Sequence, residues 1–391
     1  SKTPNRAAED RVGSRRPSAH TDHDVQISTD HDERQQADFM RSIPFVARVL
    51  LTAGTLLCGT IVPACLGTAF AGEPTADAAD DSPARRNLRL FSTVRPDPLP
   101  RQLCANSHFV VSDESDHWLF RSDLVVPGGA LIGVGTDNNY TMAGWARPDY
   151  LVLMDFDQVV VDVHRVYRAA FLAAPTPQKF LSLWAATAEP ELRELVVRAY
   201  PDPGEQKGAL KALRIGRRLI EVRLRTQLRQ YRAMGIPTFL DDPVQYGFIV
   251  DLFRNSRVLM VRGDLTGNMA MKDIARVLKE LGVPVRALNL SNTEAYFDYV
   301  PSFKENIAAL PMDENTLILS TSLSTVDPWV ARGNYRYYVQ KGADYRAWIE
   351  RPSTRSSKAI RVRRVKGKER GLNYLGAPPQ PVGLTKPGSG K

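Results

Sequence analysis

Ala130-Leu131-Ile132-Gly133-Val134-Gly135-Thr136-Asp137-Asn138-Asn139-Tyr140 and, ten residues later, Tyr150-Leu151-Val152-Leu153-Met154-Asp155-Phe156-Asp157 decide the fold class. Each stretch starts as a short, unbroken apolar run, the pattern of a strand buried on both faces. Each then ends in groups suited to a ligand rather than a core: glycines and amides in the first, acids in the second. Residues 139–146 between them suit a short helix, so the unit reads as strand, helix, strand with a right-handed crossover.

The same alternation continues outward. Residues 157–172 carry a helical period in Val160, Val163, Tyr167, Ala170 and Phe171. Residues 176–234 show no strand pattern and read as a helical insertion of two or three helices. The last of these is long and basic, with Gly216 weakening it as one unbroken helix. Strands follow at 257–264, 283–290 and 315–321, with helices at 268–281 and 302–310 between them. The aromatic, alternating stretch 334–340 is expected to be an antiparallel edge strand. The fold class is therefore α/β, a three-layer doubly wound Rossmann-like sheet with a helical insertion, spanning residues 101–350.

The chain has 391 residues, 43% hydrophobic and 24% charged, which excludes collagen-like, wholly disordered and multi-span membrane proteins. Residues 1–39 are polar and aperiodic and are expected to be a disordered leader outside the mature protein. Residues 40–71 read as a signal peptide: basic Met40-Arg41-Ser42 with Arg48, the apolar run Val49 to Val62, and Ala69-Phe70-Ala71 before Gly72. Two rival readings stand beside cleavage there. Val62-Pro63-Ala64-Cys65 resembles a lipobox that would leave Cys65 acylated, and residues 43–71 are long enough for an uncleaved membrane anchor. The expected address is thus export, to the periplasm, the outer envelope or the medium. Residues 72–100 read as a flexible linker, and 351–391 as a mobile tail, first basic and then Pro/Gly-rich. Of three cysteines, Cys104 alone would remain in the mature chain, either buried as a small hydrophobe or paired between chains.

In open α/β sheets, ligands bind beyond the carboxyl ends of the strands. The residues there are Gly133 to Tyr140, Asp155-Phe156-Asp157, Asp264 within Gly263-Asp264-Leu265-Thr266-Gly267, and Asn289 to Glu294. Asp264, Asp155 and Asp157 are also suited to capping the helices that follow. This succession of a Gly-x-Gly turn, an acid, a second acid and an amide loop resembles the class I S-adenosylmethionine-dependent methyltransferase fold over residues 118–340. Within it, Gly133 to Tyr140 and Asp155 to Asp157 followed by Asp162-Val163-His164-Arg165 look similar to an uncharacterised group of exported bacterial proteins, some of them lipoproteins. The resemblance implies a sheet of methyltransferase type and an S-adenosylmethionine cofactor. The cofactor-side residues it points to are Gly133, Gly135, Asp137, Asn138, Tyr140, Asp155, Asp157 and Asp264. The family motif has an acid before its first glycine and a third glycine two residues past the second; here Leu131 or Ile132 and Asp137 stand in those places.

The acceptor side would be Asn289, Ser291, Asn292 and Glu294. His164, two helical turns beyond Asp157, is a candidate base or a satisfied structural histidine. No metal-ligand spacing, Gly-x-Ser-x-Gly elbow or His-Glu-x-x-His motif occurs. A formal net charge of +9 suits an anionic partner, and the basic helix and tail are expected to meet an anionic envelope component rather than nucleic acid. Contact with a membrane is expected only through an uncleaved signal or a lipid anchor. Two functions fit: a non-catalytic ligand-binding or envelope-interaction protein with an unknown small molecule in the strand-end crevice, or a methyltransferase acting on an unknown acceptor.

Overall fold

The computed structural model describes residues 82–380. The expected leader, signal peptide, cleavage point before Gly72 and Cys65 lie outside the described residues. The strands are β1 (Ala130–Val134), β2 (Tyr150–Asp155), β3 (Val258–Arg262), β4 (Val285–Asn289), β5 (Met312–Leu323), β6 (Tyr335–Lys341), β7 (Val365–Lys366) and β8 (Leu372–Leu375). The helices are α1 (Pro83–Ser92), α2 (Asn138–Ala146), α3 (Gln158–Ala173), α4 (Pro177–Leu183), α5 (Glu189–Ala199), α6 (Pro203–Ala233), α7 (Pro243–Arg254), α8 (Ala270–Leu281), α9 (Pro301–Ala309), α10 (Gly342–Ile349) and α11 (Lys358–Arg361). Among the described residues no helix is long and apolar enough to cross a membrane.

One mixed sheet runs in the order β3-β2-β1-β4-β5-β6-β8-β7. The first five of these are parallel neighbours. After β3 the chain crosses back to the far side of β1, so the order reverses between β1 and β4 and opens a crevice at their carboxyl ends. Because successive strand residues point to opposite faces, the apolar runs feed two cores. Leu131, Leu151, Leu153 and Ala287 pack under α2 to α7. Ile132, Val152, Met154 and Leu288 pack under α1, α8, α9 and α10. A Rossmann-like α/β sandwich is therefore present.

The helical insertion is bound to its face by aromatic packing. Phe171 of α3 stacks on Phe180 of α4 with centroids 4.3 Å apart, and Tyr167 lies 4.8 Å from Trp184. Asp202 accepts from the Glu205 N–H at 2.8 Å and Pro203 opens the first turn, so the 31-residue α6 starts where cap chemistry asks. Gly216 does not interrupt it. It is buried, and a Cβ there would meet Ile220 Cδ1 of the next turn at 3.1 Å and Val110 at an ordinary 3.4 Å.

Three expectations at the edges of the domain need correction. Residues 83–92, read as linker, form α1, whose Phe91 is buried in the second core because apolar positions recur along a short, otherwise basic helix. The stretch read as an edge strand, β6, is interior: it pairs antiparallel with β5 on one side and parallel with β8 on the other. Within the segment read as a mobile tail, residues 351–380 supply β8, β7 and α11, and residues 381–391 lie outside the described residues. Its Arg361 is buried, 3.0 Å from Glu294, a carboxylate that also accepts from the hydroxyls of Tyr345 at 2.8 Å and of Tyr299. A buried carboxylate stripped of its cation retains the desolvation cost without the compensation. Arg361→Met should therefore lower the unfolding free energy by roughly 3–5 kcal/mol in urea titration. The double variant Arg361→Met with Glu294→Leu should recover much of that loss.

Candidate functional site

A cavity of about 340 Å³ opens at the carboxyl ends of β1 to β4. Of the sequence-derived candidates, Gly135, Asn138, Asp155, Asp157, Asp264, Ser291 and Asn292 line it. The two glycines of the first turn do different work. A Cβ on Gly133 would lie 2.0 Å from Asn139 Oδ1, so this glycine lets α2 close on β1. Gly135 has φ +85° and only open space where a Cβ would stand, so its backbone is presented to the cavity.

Asp155 ends β2 at the floor of the cavity, with Oδ1 accepting from the Asp157 N–H at 2.9 Å. Burial, with a smaller push from the Asp157 charge, lifts its carboxyl to about 7 against donated backbone hydrogen bonds. Asp157 both caps α3, accepting from the Val159 N–H at 2.9 Å, and meets His108 Nδ1 at 2.7 Å. Asp264 folds its own loop: Oδ1 accepts from the Thr266 N–H and hydroxyl, each at 2.7 Å. It does not cap the helix behind it, which starts only at Ala270.

The remaining candidates lie behind the cavity wall. Asp137 is wholly buried, its Oδ2 held at 2.8 Å by Arg223 Nε of α6, while Oδ1 accepts from the Ser112 N–H at 3.0 Å. Burial alone would raise its pKa; the Arg223 charge and these bonds prevail and hold it below the usual carboxylate value. Arg223 also donates to Asn138 Oδ1 at 2.8 Å, so Asn138 meets the cavity with its side chain already engaged. Tyr140 is buried, its hydroxyl 2.8 Å from His164 Nδ1, and His164 Nε2 lies 2.9 Å from the Gly135 carbonyl. Burial drives the histidine down to about 4, so it is a neutral, satisfied structural group rather than a base. Asn289 is spent on Asn139 Oδ1 at 3.0 Å, and Glu294 on the Arg361 cluster.

Sequence reasoning missed the strap, residues 104–118, whose first half lines the cavity. Cys104, Phe109, Val111, Ser112 and Asp113 line the cavity from above. Glu114 anchors the strap. One of its oxygens accepts from the Ser291 hydroxyl at 2.8 Å and from Thr321, and the other lies 3.1 Å from His117 Nε2 and 3.3 Å from Asn138 Nδ2. Burial works against its charge, but the nearby His117 ring and hydrogen bonds from Thr321 and Ser291 keep the carboxyl below its ordinary value. Cys104, expected to be buried or paired between chains, is a half-buried free thiol at the cavity. Asp97, from the supposed linker, is buried and accepts from the N–H groups of Asp264 and Met269 at 3.0 Å each, shaping the loop after β3. The one local hint was the apolar triplet Phe109-Val110-Val111 directly before the acidic run Asp113-Glu114-Ser115-Asp116.

Among the described residues the cavity wall carries four carboxyl groups, of Asp113, Asp155, Asp157 and Asp264, and no lysine or arginine. Apolar Phe156, Val160 and Leu265 lie beside the acids on the β2–β3 side. Such a surface repels phosphates and offers acceptors to hydroxyl, amino and cationic groups. Among the described residues no cluster of His, Cys, Asp and Glu is arranged to hold a metal ion.

With the Asp155 carboxyl raised from 3.8 to about 7, the folded state holds a proton that the unfolded chain has released. Stability should therefore fall as pH rises from about 4 to about 7 and level off above, at about 1.4 kcal/mol per unit of displacement. Asp155→Asn should flatten that slope and stabilise the protein at pH 8, as read from urea midpoints across the range.

No curated protein matches the chain. A family model described as "Domain of unknown function (DUF7790)" matches residues 109–376, taking in the strap from Phe109, all eight strands and the final pairing of β8. The chain belongs to the DUF7790 family.

Proposed function

We propose that the protein is a binding module for a ribose-bearing small molecule without phosphate, with S-adenosylmethionine or its demethylated product as the first ligand to test. The observation that carries this reading is the acidic cavity at the switch point: Gly135 opens its backbone to it, Asp155 ends β2, and among the described residues no lysine or arginine lines the wall. A carboxylate in the Asp155 position suits the two hydroxyls of a ribose. Phe156, Val160 and Leu265 offer a base apolar surface, and a wall of aspartates without lysine or arginine among the described residues favours an ammonium or sulfonium over a phosphate. The volume, about 340 Å³, lies within the range of small-molecule sites.

Binding rather than acid–base catalysis is favoured because Asn289, Glu294 and His164 are committed to internal hydrogen bonds. Methyl transfer is the second reading. It needs little proton chemistry from the protein, only apposition of acceptor and sulfonium, and Ser291, Asn292 and Cys104 border the part of the cavity where an acceptor would enter.

Thermal unfolding with S-adenosylmethionine, S-adenosylhomocysteine, adenosine or ADP checks the reading. Ligand at about 100 times its dissociation constant adds about 2.7 kcal/mol, so the first two should raise the melting temperature by several degrees. ADP should not. Asp155→Ala should abolish the shift, and affinity in the native protein should rise between pH 6 and 8, because a diol that donates hydrogen bonds favours the ionised carboxyl. A shift with ADP, or none with any nucleoside at millimolar concentration, would sink the proposal. Methyl transfer to an acceptor added with S-adenosylmethionine would move the protein to the second reading.

A further inference from the structure

The outer face of α6 carries a run of exposed basic side chains. Lys207, Lys211, Arg214, Arg218, Arg225 and Arg229 are all exposed. At about 100° per residue they fall, with Val222, within a sector of about 80°. The stripe runs about 33 Å along the helix, at about 1.5 Å per residue. It lies opposite the buried face formed by Leu213, Gly216, Ile220, Leu224 and Tyr231. Arg225 is paired with Glu221 at 3.1 Å and Arg229 reaches Thr226. Among the described residues none of Lys207, Lys211, Arg214 and Arg218 has an ion-pair partner. Leu219 and Val222 stand in and beside this stripe, 51% and 58% exposed.

We propose that this ridge docks the protein on the surface of an anionic lipid bilayer. Charge complementarity asks for a polyanion, and two further observations choose among polyanions. Exposed Leu219 and Val222 gain nothing from a phosphate backbone, but their burial at the headgroup boundary adds to the attraction of a basic helix for anionic lipid. The ridge also has no aromatic side chain in its exposed sector for bases to stack on. Arg223, on the opposite side, ties α6 to Asp137 and to the Glu114 carbonyl, so the ridge is a rigid part of the domain and not a loose arm. Docking of this kind would be independent of the ligand in the cavity.

The test is sedimentation of the full chain with vesicles of phosphatidylcholine alone, or of phosphatidylcholine containing about one-third phosphatidylglycerol. Partition onto the anionic vesicles should exceed that onto neutral ones by at least about tenfold, and the surplus should fall steeply with added salt. The triple variant Lys211→Glu, Arg214→Glu, Arg218→Glu should lose the surplus while keeping its melting temperature, since all three side chains are exposed. The charge-matched control Arg363→Glu, Lys368→Glu, Arg370→Glu should retain it. Leu219→Ser with Val222→Ser should weaken anionic-vesicle binding severalfold and leave any binding of duplex DNA unchanged. Equal partition onto both vesicles, a surplus that survives the triple reversal, or tighter binding to duplex DNA than to anionic vesicles at the same salt would each overturn the proposal.

Discussion

The buried contact between Arg223 and Asp137 is the constraint on which the rest depends. Three parts of the chain that are far apart in sequence meet there: the long helix of the insertion, the turn after β1, and the strap through Ser112 and Glu114. A guanidinium and a carboxylate withdrawn from water are costly unless each remaining donor and acceptor is used. Here three donors of the guanidinium and both carboxylate oxygens are used. Arg223 divides its donors among Asp137, Asn138 and the Glu114 carbonyl, and Asp137 takes the Ser112 N–H and the Thr136 hydroxyl as well. The contact ties the strap, which lines the cavity, to the turn after β1 and to α6.

That arrangement also explains why the cavity is acidic. The cations nearest to the switch point are consumed in holding structure: Arg223 by Asp137, and Arg262 by the Asp97 carbonyl and Gln158. What remains facing the space are carboxylates on strand ends and loops. The Asp155 carboxyl is lifted because the backbone hydrogen bonds it receives do not compensate for burial beside a second acid. A site of this kind is stabilised by a ligand that brings donors or positive charge, which is the physical content of the nucleoside reading.

The sheet was legible in the sequence because its centre is built from uninterrupted apolar runs, and β1 to β5 appear within a few residues of where periodicity puts them. The insertion was legible for the opposite reason, the absence of any two-residue alternation. The margins were not. β8 is four residues long, β7 is two, and both sit among arginines and lysines whose charge outweighs any short pattern. The cavity floor could be named from strand ends, yet Gly133, Asp137, Tyr140, His164, Asn289 and Glu294 turn inward. The same polar residue types serve as ligands or as buried ties, and only three-dimensional partners tell which. The strap shows the reverse problem, since Glu114 and Asp116 look like solvent-facing loop acids until their buried partners are known.

The last of the described strands to be made, β8, is not last in space. It lies between β6 and β7, parallel to the first and antiparallel to the second. Until residues 372–375 emerge during synthesis, β6 presents an open row of backbone donors and acceptors flanked by Tyr337, Tyr338 and Val339, side chains that are buried in the finished domain. An unpaired apolar edge of this kind invites pairing with other chains. The sheet therefore closes only from its carboxyl-terminal end, and a chain halted a few residues short of β8 would carry most of its core and still expose a template for aggregation.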